Sequence, residues 1–266
     1  MDAGAATKAG SGVVFLFTDY SLSGPYVGQL HGALHSTTGG AVRCIDLMHD
    51  VPAYQTRAGA YLLAAVLPYL PSSATVLAVV DPGVGTSRDG LVVELGGGQW
   101  LVGPDNGLLA VAASRVSDAR VWVLPEPEPG VSATFHGRDW FAPAAARVAA
   151  TGEPPRGCRE TGEWVGRGWP EDHDGIVYED GYGNLISGRR AGTVPSAATL
   201  LFAGQEIPWG RKFADVPPGR PLWYANSLGL VEIAVNQGAA ASLLGRGVGE
   251  PLDWRIGGSS VDLGRV

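Results

Sequence analysis

The first half of the chain alternates unbroken apolar runs with segments whose apolar residues recur at helical spacing. Residues 13–18 and 75–80 are continuous apolar runs, typical of strands covered on both faces. Residues 25–36 and 54–69 carry an apolar stripe at helical period. This succession predicts an α/β domain on a mostly parallel central sheet. The other elements predicted in this half are strands at 41–47 and 120–124, a hairpin at 91–95 and 99–102, and helices at 106–116 and 140–150.

The second half of the chain has a different pattern. Residues 152–172 are rich in glycine, proline and charge without periodicity, which is typical of a linker. From residue 173 onward, short apolar runs alternate with turn residues, and this predicts a smaller antiparallel, β-barrel-like domain. The predicted organisation is a flexible leader at 1–11, the α/β domain at 12–151, the linker at 152–172 and the β domain at 173–266.

Composition and charge narrow the class of protein. With 45% hydrophobic residues, the 266-residue chain is not intrinsically disordered, and a formal charge of -7 argues against a nucleic-acid partner. No apolar stretch is long enough to cross a bilayer, and we expect a cytoplasmic protein without a membrane partner. Cys44 and Cys158 are too far apart in sequence to indicate a disulfide framework or a zinc site.

Two carboxylates directly follow predicted strands. Asp19 ends the first strand and Asp81 ends the third. In open α/β sheets the ligand crevice lies at the carboxyl ends of the strands, so both side chains would face one cleft. The alternative is that each aspartate forms a turn or caps a helix.

Other polar residues are candidates for chemistry or binding. Arg88 follows Asp81 by seven residues, and the two form either a surface ion pair or part of a cleft. His136 lies in a polar cluster and is the side chain best suited to proton transfer, although a lone histidine is more often structural. Asn184 and the pair Asn226–Ser227 are turn residues of the second domain, where loops often bind ligands. His31 and His35 have metal-ligand spacing but no third ligand, so we expect no metal site.

A series of polar and glycine-rich blocks runs from about residue 12 to about residue 245. In chain order they are FTDYSLSGPYVGQLHG (17–32), HDVP (49–52), DPGVGTSR (81–88), GPDNGLL (103–109), TFHGRDWFAP (134–143), DGYGNLIS (180–187) and NSLGLVEIAVNQGAA (226–240). In this order they resemble the S-adenosylmethionine (SAM) hydroxide adenosyltransferases. These are SAM hydrolases and are sisters of the SAM-dependent fluorinase and chlorinase.

The resemblance implies a fold, an assembly and a reaction. It implies an α/β N-terminal domain, a β-barrel-like C-terminal domain and a homotrimer in which SAM lies between the N-domain of one subunit and the C-domain of its neighbour. Water or hydroxide would attack the ribose C5′ of SAM and release adenosine and L-methionine. SAM would be the substrate, and we expect no cofactor and no metal.

The resemblance also implies roles for individual side chains. The groups that would surround the nucleophilic water are Asp81, Arg88 and His136. The groups that would bind the substrate are Asp19 at the ribose hydroxyls, Asn184 at adenine, Asp180 and Ser227 at the methionine amino and carboxylate ends, and Tyr54 and Tyr182 along the ribose and adenine.

Departures from the sister enzymes bear on the choice of nucleophile. Fluorinases carry a tyrosine at the position of Asp81 and an inserted loop that is missing here, and both differences favour water over halide. Leu228 replaces a fluorinase arginine near the methionine carboxylate, and Ile186 replaces an aromatic at the adenine wall. The alternatives are a SAM-dependent halogenase that forms 5′-halo-5′-deoxyadenosine, and a SAM- or adenosine-binding sensor without turnover.

Overall fold

The computed structural model describes residues 10–256 and 259–261, so most of the leader predicted at 1–11 lies outside the described residues. The chain divides into two compact units. Unit 1 extends to Trp169 and unit 2 begins at Pro170, except that Ala64–Val66 group with unit 2.

A seven-stranded mixed sheet forms the centre of unit 1, in the order β2-β1-β3-β5-β4-β6-β7. Strands β2, β1, β3 and β5 are parallel neighbours, and β4, β6 and β7 are joined through antiparallel pairs. The predicted α/β class is confirmed, and the hairpin between β4 and β5 is where the sheet changes from parallel to antiparallel. The strands are β1 (Val13–Thr18), β2 (Arg43–Met48), β3 (Thr75–Val79), β4 (Gly90–Glu94), β5 (Trp100–Pro104), β6 (Arg120–Val123) and β7 (Arg159–Thr161).

Helices cover this sheet. They are α1 (Tyr26–Thr38), α2 (Thr56–Val66) with a 3-10 turn at Leu67–Tyr69, α3 (Ala110–Ser114) and α4 (Ala142–Thr151), which follows a π-helical turn at Gly137–Phe141. The alanine-rich face of α4 is buried in one core with the apolar residues of β1 and β3. Helix α3 is shorter than the predicted 106–116, because Asn106 accepts the N–H of Leu108 through Oδ1 at 3.2 Å and holds a turn there instead.

The parallel pairing of β1 and β3 places two aspartates at one sheet edge. Thr18 is opposite Val79 in the register, and both strands end at this level. Asp19 and Asp81 therefore emerge from neighbouring strands at the carboxyl edge, where α/β proteins place their ligand crevices.

The predicted linker belongs largely to unit 1. Strand β7 lies within residues 152–172 and pairs antiparallel with β6. Val165 N donates to Asp105 Oδ1 at 2.8 Å, and Trp169 packs so closely on Gly107 that a Cβ there would not fit. A three-residue charged strand flanked by turns has no periodicity, so its pairing depends on tertiary contacts that composition does not reveal.

Unit 2 contains two four-stranded antiparallel sheets, β11-β10-β14-β15 and β12-β13-β9-β8. Their inner faces enclose an apolar core that includes Leu200, Ile233 and Trp254. The predicted antiparallel β architecture is confirmed. The elements are β8 (His173–Glu179), β9 (Leu185–Arg190), β10 (Ala198–Phe202), β11 (Gln205–Ile207), β12 (Pro221–Ala225), β13 (Leu230–Val235), α5 (Ala240–Leu244), β14 (Asp253–Ile256) and β15 (Ser259–Val261).

Candidate active site

A carboxylate, a guanidinium and an imidazole meet in unit 1 beyond the end of β3. Arg88 Nε donates to Asp81 Oδ1 at 2.8 Å, and the Arg88 Nη2 donates to Asp81 Oδ2. The same Nη2 lies 3.0 Å from His136 Nδ1. The side chains of Arg88 and Asp81 are only 9% and 6% exposed, and His136 is 7% exposed. Because a paired guanidinium–carboxylate contact fixes direction as well as distance, we treat these residues as one unit, the Asp81–Arg88–His136 cluster.

The conformation of the loop after β3 brings the Arg88 side chain into contact with Asp81. Gly85 has a φ of 79°, a conformation that glycine adopts without steric cost. A Cβ at Gly85 would also lie 2.5 Å from the carbonyl oxygen of Ala133, so the loop passes directly against the chain that leads to His136. On the other side, Asn106 Nδ2 donates at 2.9 Å to the carbonyl oxygen of the residue before Asp81.

Aromatic rings form one wall of the cluster. The Arg88 guanidinium carbon is 4.9 Å from the ring centroid of Phe141 and 5.5 Å from that of Trp140. The His136 ring meets the Trp140 ring edge-on, with centroids 5.3 Å apart. Both aromatic residues come from the π-helical turn that follows His136. Rings in this position screen the charges from water, which strengthens their interaction.

The geometry determines the protonation state of His136. Arg88 has only donors, so His136 Nδ1 must accept, and in the neutral ring the proton is on Nε2. Burial lowers the pKa of His136, the positive charge of Arg88 lowers it further, and the charges of Asp81 and Asp139 only partly oppose this. At neutral pH the imidazole is therefore uncharged and offers Nε2–H as a donor.

Asp19 is held by the backbone beside this cluster. Tyr54 N donates to Asp19 Oδ2 at 3.2 Å, and Tyr54 itself has a left-handed φ of 64°. Burial raises the pKa of Asp19 and the nearby charge of Asp81 adds to this, whereas the hydrogen bond from Tyr54 lowers it. Asp19 retains free lone pairs, since the backbone N–H groups of Tyr54 and of Asp19 itself occupy only part of the about four acceptor sites of a carboxylate.

These residues line one pocket of about 290 Å³ in unit 1. Its walls are Asp19, Tyr20, Tyr26, Ala53, Tyr54, Asp81, Val84, Thr134, Phe135, His136 and Gly137. Arg88 is not among the residues that line the pocket, but it contacts both Asp81 and His136. The structure thus brings together the residues of this half of the chain that are predicted to surround the nucleophilic water and those that are predicted to contact the ribose.

In unit 2, Asp180 organises a turn that presents Tyr182 and Asn184. Asp180 Oδ1 accepts the N–H groups of Tyr182 and Asn184, both at 2.9 Å, and Oδ2 accepts Asn184 Nδ2 at 2.9 Å. Asn184 is 7% exposed, whereas Tyr182 is 83% exposed. Tyr182 and Asn184 line a cavity of about 590 Å³ together with Phe213, Val235, Asn236, Gln237 and Gly238.

Ser227 lies in a second turn of unit 2, and it is exposed. Asn226 Oδ1 accepts the N–H groups of Leu228 and Leu230, both at 2.9 Å, which closes the turn around Ser227. Asn226 Nδ2 in turn donates to the buried carboxylate of Glu232 at 3.0 Å. Ser227 is not among the residues that line the cavity of Tyr182 and Asn184.

Comparison with known families identifies the chain. The N-terminal domain model of the SAM hydroxide adenosyltransferases matches residues 14–157, and the C-terminal domain model matches residues 175–253. The chain belongs to the SAM hydroxide adenosyltransferase family.

Similar proteins match this chain over almost its whole length. A (R)-S-adenosyl-L-methionine hydrolase of Thermus thermophilus is 39% identical over 256 residues, covering 90% of this chain and 98% of the relative. A protein of the same name from Salinispora arenicola is 40% identical over 250 residues, covering 88% and 94%. A crystal structure of an uncharacterized conserved protein from Thermotoga maritima superposes with a TM-score of 0.79 at 28% identity, over 91% of this chain and 99% of that one.

Sequence reasoning missed several pocket residues of this family member. Tyr20 and Gly137 line the unit 1 pocket, and Phe213 and Gln237 line the unit 2 cavity. Three of these residues lie inside the motif blocks of the sequence analysis: Tyr20, Gly137 and Gln237. Their position in a block is a sequence feature by which they could have been identified. Phe213 belongs to a short 3-10 turn outside every block and carried no signal.

In the described part of the chain, no group of three or more His, Cys, Asp and Glu side chains is arranged to hold a metal ion. His31 instead pairs with Asp46, whose Oδ1 lies 2.7 Å from His31 Nε2. Among the helices at 10–256, none has both the length and the apolar character that crossing a membrane requires.

Proposed function

We propose that this protein hydrolyses SAM to adenosine and L-methionine by in-line attack of water at the ribose C5′. The observation that supports this most strongly is the buried Asp81–Arg88–His136 cluster, which shares a pocket with Asp19 in a member of the SAM hydroxide adenosyltransferases. Because relatives are named (R)-SAM hydrolases, we propose the (R) epimer at sulfur as the substrate.

The reaction needs an aligned nucleophile more than an acid. A bond forms between the water oxygen and C5′, while the C5′–S bond breaks and its electron pair moves to sulfur. Sulfur leaves as the neutral thioether of methionine, so it needs no proton. The water loses one proton, which passes to solvent. Holding the reacting atoms in line can contribute about 7–11 kcal/mol to lowering the barrier.

The cluster is built to hold that water. Arg88 occupies one lone pair on each oxygen of Asp81, so the carboxylate keeps acceptor sites for the protons of water. His136 donates through Nε2–H to the water oxygen and does not act as its base, because Nδ1 already accepts from Arg88. The permanent charge of Arg88 stabilises hydroxide character in the bound water. Asp19 grips the ribose hydroxyls and thereby fixes C5′.

Unit 2 supplies recognition of the two ends of SAM. Asn184 and Tyr182 bind adenine, and Asp180 and Ser227 hold the amino and carboxylate ends of methionine. Asp180 accepts three hydrogen bonds from its own turn, and an ionised carboxylate has about four acceptor sites, so one remains for an ammonium group. No cofactor or metal is part of this proposal, and chelation with EDTA should leave turnover unchanged.

We further propose a homotrimer in which unit 2 of a neighbouring subunit completes each unit 1 pocket. The exposed pocket aromatics support this, since Tyr54 is 75% and Tyr182 is 83% exposed in the single chain. Subunits with Arg88→Ala should be mixed with subunits that carry Asn184→Ala and Ser227→Ala. If sites are shared, every mixed trimer regains an intact site and activity returns; no recovery would contradict the shared site.

Product analysis tests the reaction itself. In ¹⁸O-water, (R)-SAM should give adenosine labelled at the 5′-hydroxyl, and (S)-SAM should react much more slowly. Unlabelled adenosine would contradict attack at C5′. A 5′-halo product in excess fluoride or chloride would support the halogenase, and recovery of intact SAM after long incubation would support the sensor.

A further inference from the structure

The hydroxyl of Tyr20 is a polar group of the unit 1 pocket that the proposed mechanism does not use. Tyr20 directly follows Asp19, and both line the pocket. Its backbone N–H donates to Thr18 Oγ1 at 3.2 Å, so the chain turns as β1 ends and both side chains reach the same pocket. Within residues 10–256 and 259–261, the Tyr20 Oη forms no hydrogen bond.

The position of this hydroxyl is fixed by its surroundings. The Tyr20 ring packs against Phe135 nearly edge-on at 5.7 Å between centroids and against Tyr26 at 5.9 Å. At its far end, Oη lies so close to Gly137 that a Cβ on that residue would overlap it. Gly137 thus provides the space for the hydroxyl, immediately next to His136.

The electrostatic surroundings keep this group a neutral phenol. Burial raises the pKa of Tyr20 well above its ordinary value, and the charges of Asp19 and Asp81 raise it further. The hydroxyl therefore keeps its proton at neutral pH, where it can donate one hydrogen bond and accept others. The hydroxyl belongs to a residue that lines the pocket, so a water or substrate atom there can supply the hydrogen bond that the described residues do not.

We propose that Tyr20 is a further catalytic residue, whose hydroxyl hydrogen-bonds the water that attacks C5′. This inference rests on the proposed function. The water side of the pocket is favoured over the ribose side because Oη lies against the residue after His136. Asp81 and the Tyr20 oxygen would then accept the two protons of the water and His136 would donate to one of its lone pairs, which leaves the other lone pair to point at carbon.

The test is Tyr20→Phe, which removes the hydroxyl and keeps the ring. We expect kcat to fall about tenfold, as for one lost hydrogen bond, with KM for SAM changed less than twofold. The matched control is Tyr69→Phe, because Tyr69 is 63% exposed on the turn after α2 and away from the pocket. An unchanged kcat, or a rise in KM with kcat preserved, would overturn the proposal; the latter would place the hydroxyl on the ribose.

A second variant tests the position of the hydroxyl. Gly137→Ala introduces a methyl group where Oη lies, so it should lower kcat by a similar factor. Combined with Tyr20→Phe, the same methyl group should cost much less, because the overlapping atom is gone and the next ring atom lies 3.4 Å away. Additive losses in the double variant would contradict the proposed contact.

The wild-type protein separates the two claims. If it releases ¹⁸O-labelled adenosine and Tyr20→Phe does so equally fast, only the role of Tyr20 is wrong. If the wild-type protein forms no adenosine, the proposed function itself is wrong. Thermal unfolding of each variant, with midpoints within a few degrees of wild type, shows that the loss of turnover does not reflect loss of fold.

Discussion

The two units hold their candidate functional residues in different ways. In unit 1, ionic hydrogen bonds from Arg88 fix Asp81 and His136, and the side chains are almost fully buried. In unit 2, Asp180 and Asn226 each accept two backbone N–H groups and so shape the turns that carry the binding residues. Charged groups that are removed from water stabilise the charge that develops in the chemical step. Turns that are held by side-chain hydrogen bonds keep binding groups in fixed positions. Substitutions in the Asp81–Arg88–His136 cluster should therefore lower kcat, and substitutions in the two turns of unit 2 should raise KM.

The largest effect is expected from Arg88→Ala. It removes the group that orients both other members of the cluster, and kcat should fall about 10³-fold with little change in KM. Because Asp81 is left buried without its partner, the free energy of unfolding should also fall by about 3–5 kcal/mol. Steady-state kinetics and urea unfolding measure the two effects.

Two companion variants keep this prediction testable. Arg88→Lys retains the charge but not the paired hydrogen bonds, so it should fold better than Arg88→Ala and still turn over slowly. Arg167→Ala breaks an exposed ion pair in the same unit and should change stability by less than about 1 kcal/mol. Wild-type kcat in either Arg88 variant would show that the cluster is structural.

His136→Asn should lower kcat about 10²-fold and change the pH dependence of stability. The pKa of His136 in the folded state is below its ordinary value of 6.5, so the unfolded chain binds more protons just below pH 6.5. This contribution to stability is complete above pH 6.5 and is lost as pH falls through the folded-state pKa. His136→Asn should lack this pH-dependent loss of stability. Urea unfolding at a series of pH values measures the free energy of unfolding and tests this.

The exposed His35 supplies the matched control, since His35→Asn removes an imidazole outside the cluster and should leave kcat unchanged. If His136→Asn unfolds with the same pH dependence as the wild-type protein, then His136 is not the buried neutral histidine described above.

In unit 2, Asn184→Ala should raise KM for SAM about tenfold, or about 1.4 kcal/mol, and leave kcat within twofold. The amide is buried and lines the cavity, so its loss removes a fixed hydrogen-bonding group from the site that we propose for adenine. The control is Gln205→Ala, which removes an exposed amide on β11. A fall in kcat comparable to that of His136→Asn would contradict the division of roles between the units.

Part of this arrangement could be predicted from sequence. The unbroken apolar runs of β1 and β3 alternate with helices and with β2, a succession that favours parallel strands, and the aspartates that follow β1 and β3 then lie at one edge. Strands such as β7 and β14 were missed, because the charged segments RET and DWRI form strands only through their neighbours.

The burial of the cluster could not be predicted in the same way. In sequence, Arg88 and Asp81 fit a surface pair as well as a cleft, whereas in the structure the rings of Trp140 and Phe141, which come from a distant turn, cover Arg88. Tyr20 was missed for a related reason. Alternation along a strand would place it on the face opposite Asp19, but the backbone turns at Thr18 and directs both into the pocket.

The smallest effect is expected from Glu232→Gln. This substitution tests how strongly the Glu232 carboxylate stabilises the turn around Ser227. Glu232 accepts from Tyr224 Oη and from Asn226 Nδ2, which keeps Asn226 Oδ1 directed at the turn that carries Ser227. A glutamine keeps one acceptor for Asn226 and can direct its own NH₂ at the Tyr224 oxygen, so the turn should survive with slightly weaker bonds. KM for SAM should rise about threefold and kcat should be unchanged.

Product inhibition separates this effect from a general loosening of unit 2. Because the turn around Ser227 is assigned to the methionine end of SAM, Glu232→Gln should weaken inhibition by L-methionine and leave inhibition by adenosine unchanged. Asn184→Ala should weaken inhibition by adenosine more than inhibition by L-methionine, since its amide is proposed to bind adenine and contacts the methionine-end residue Asp180 only through one hydrogen bond. If both products lose affinity equally in Glu232→Gln, the carboxylate supports the whole β domain rather than this turn. The proposed role of the Ser227 turn at the methionine end would then be wrong, although the contrast between the units would stand.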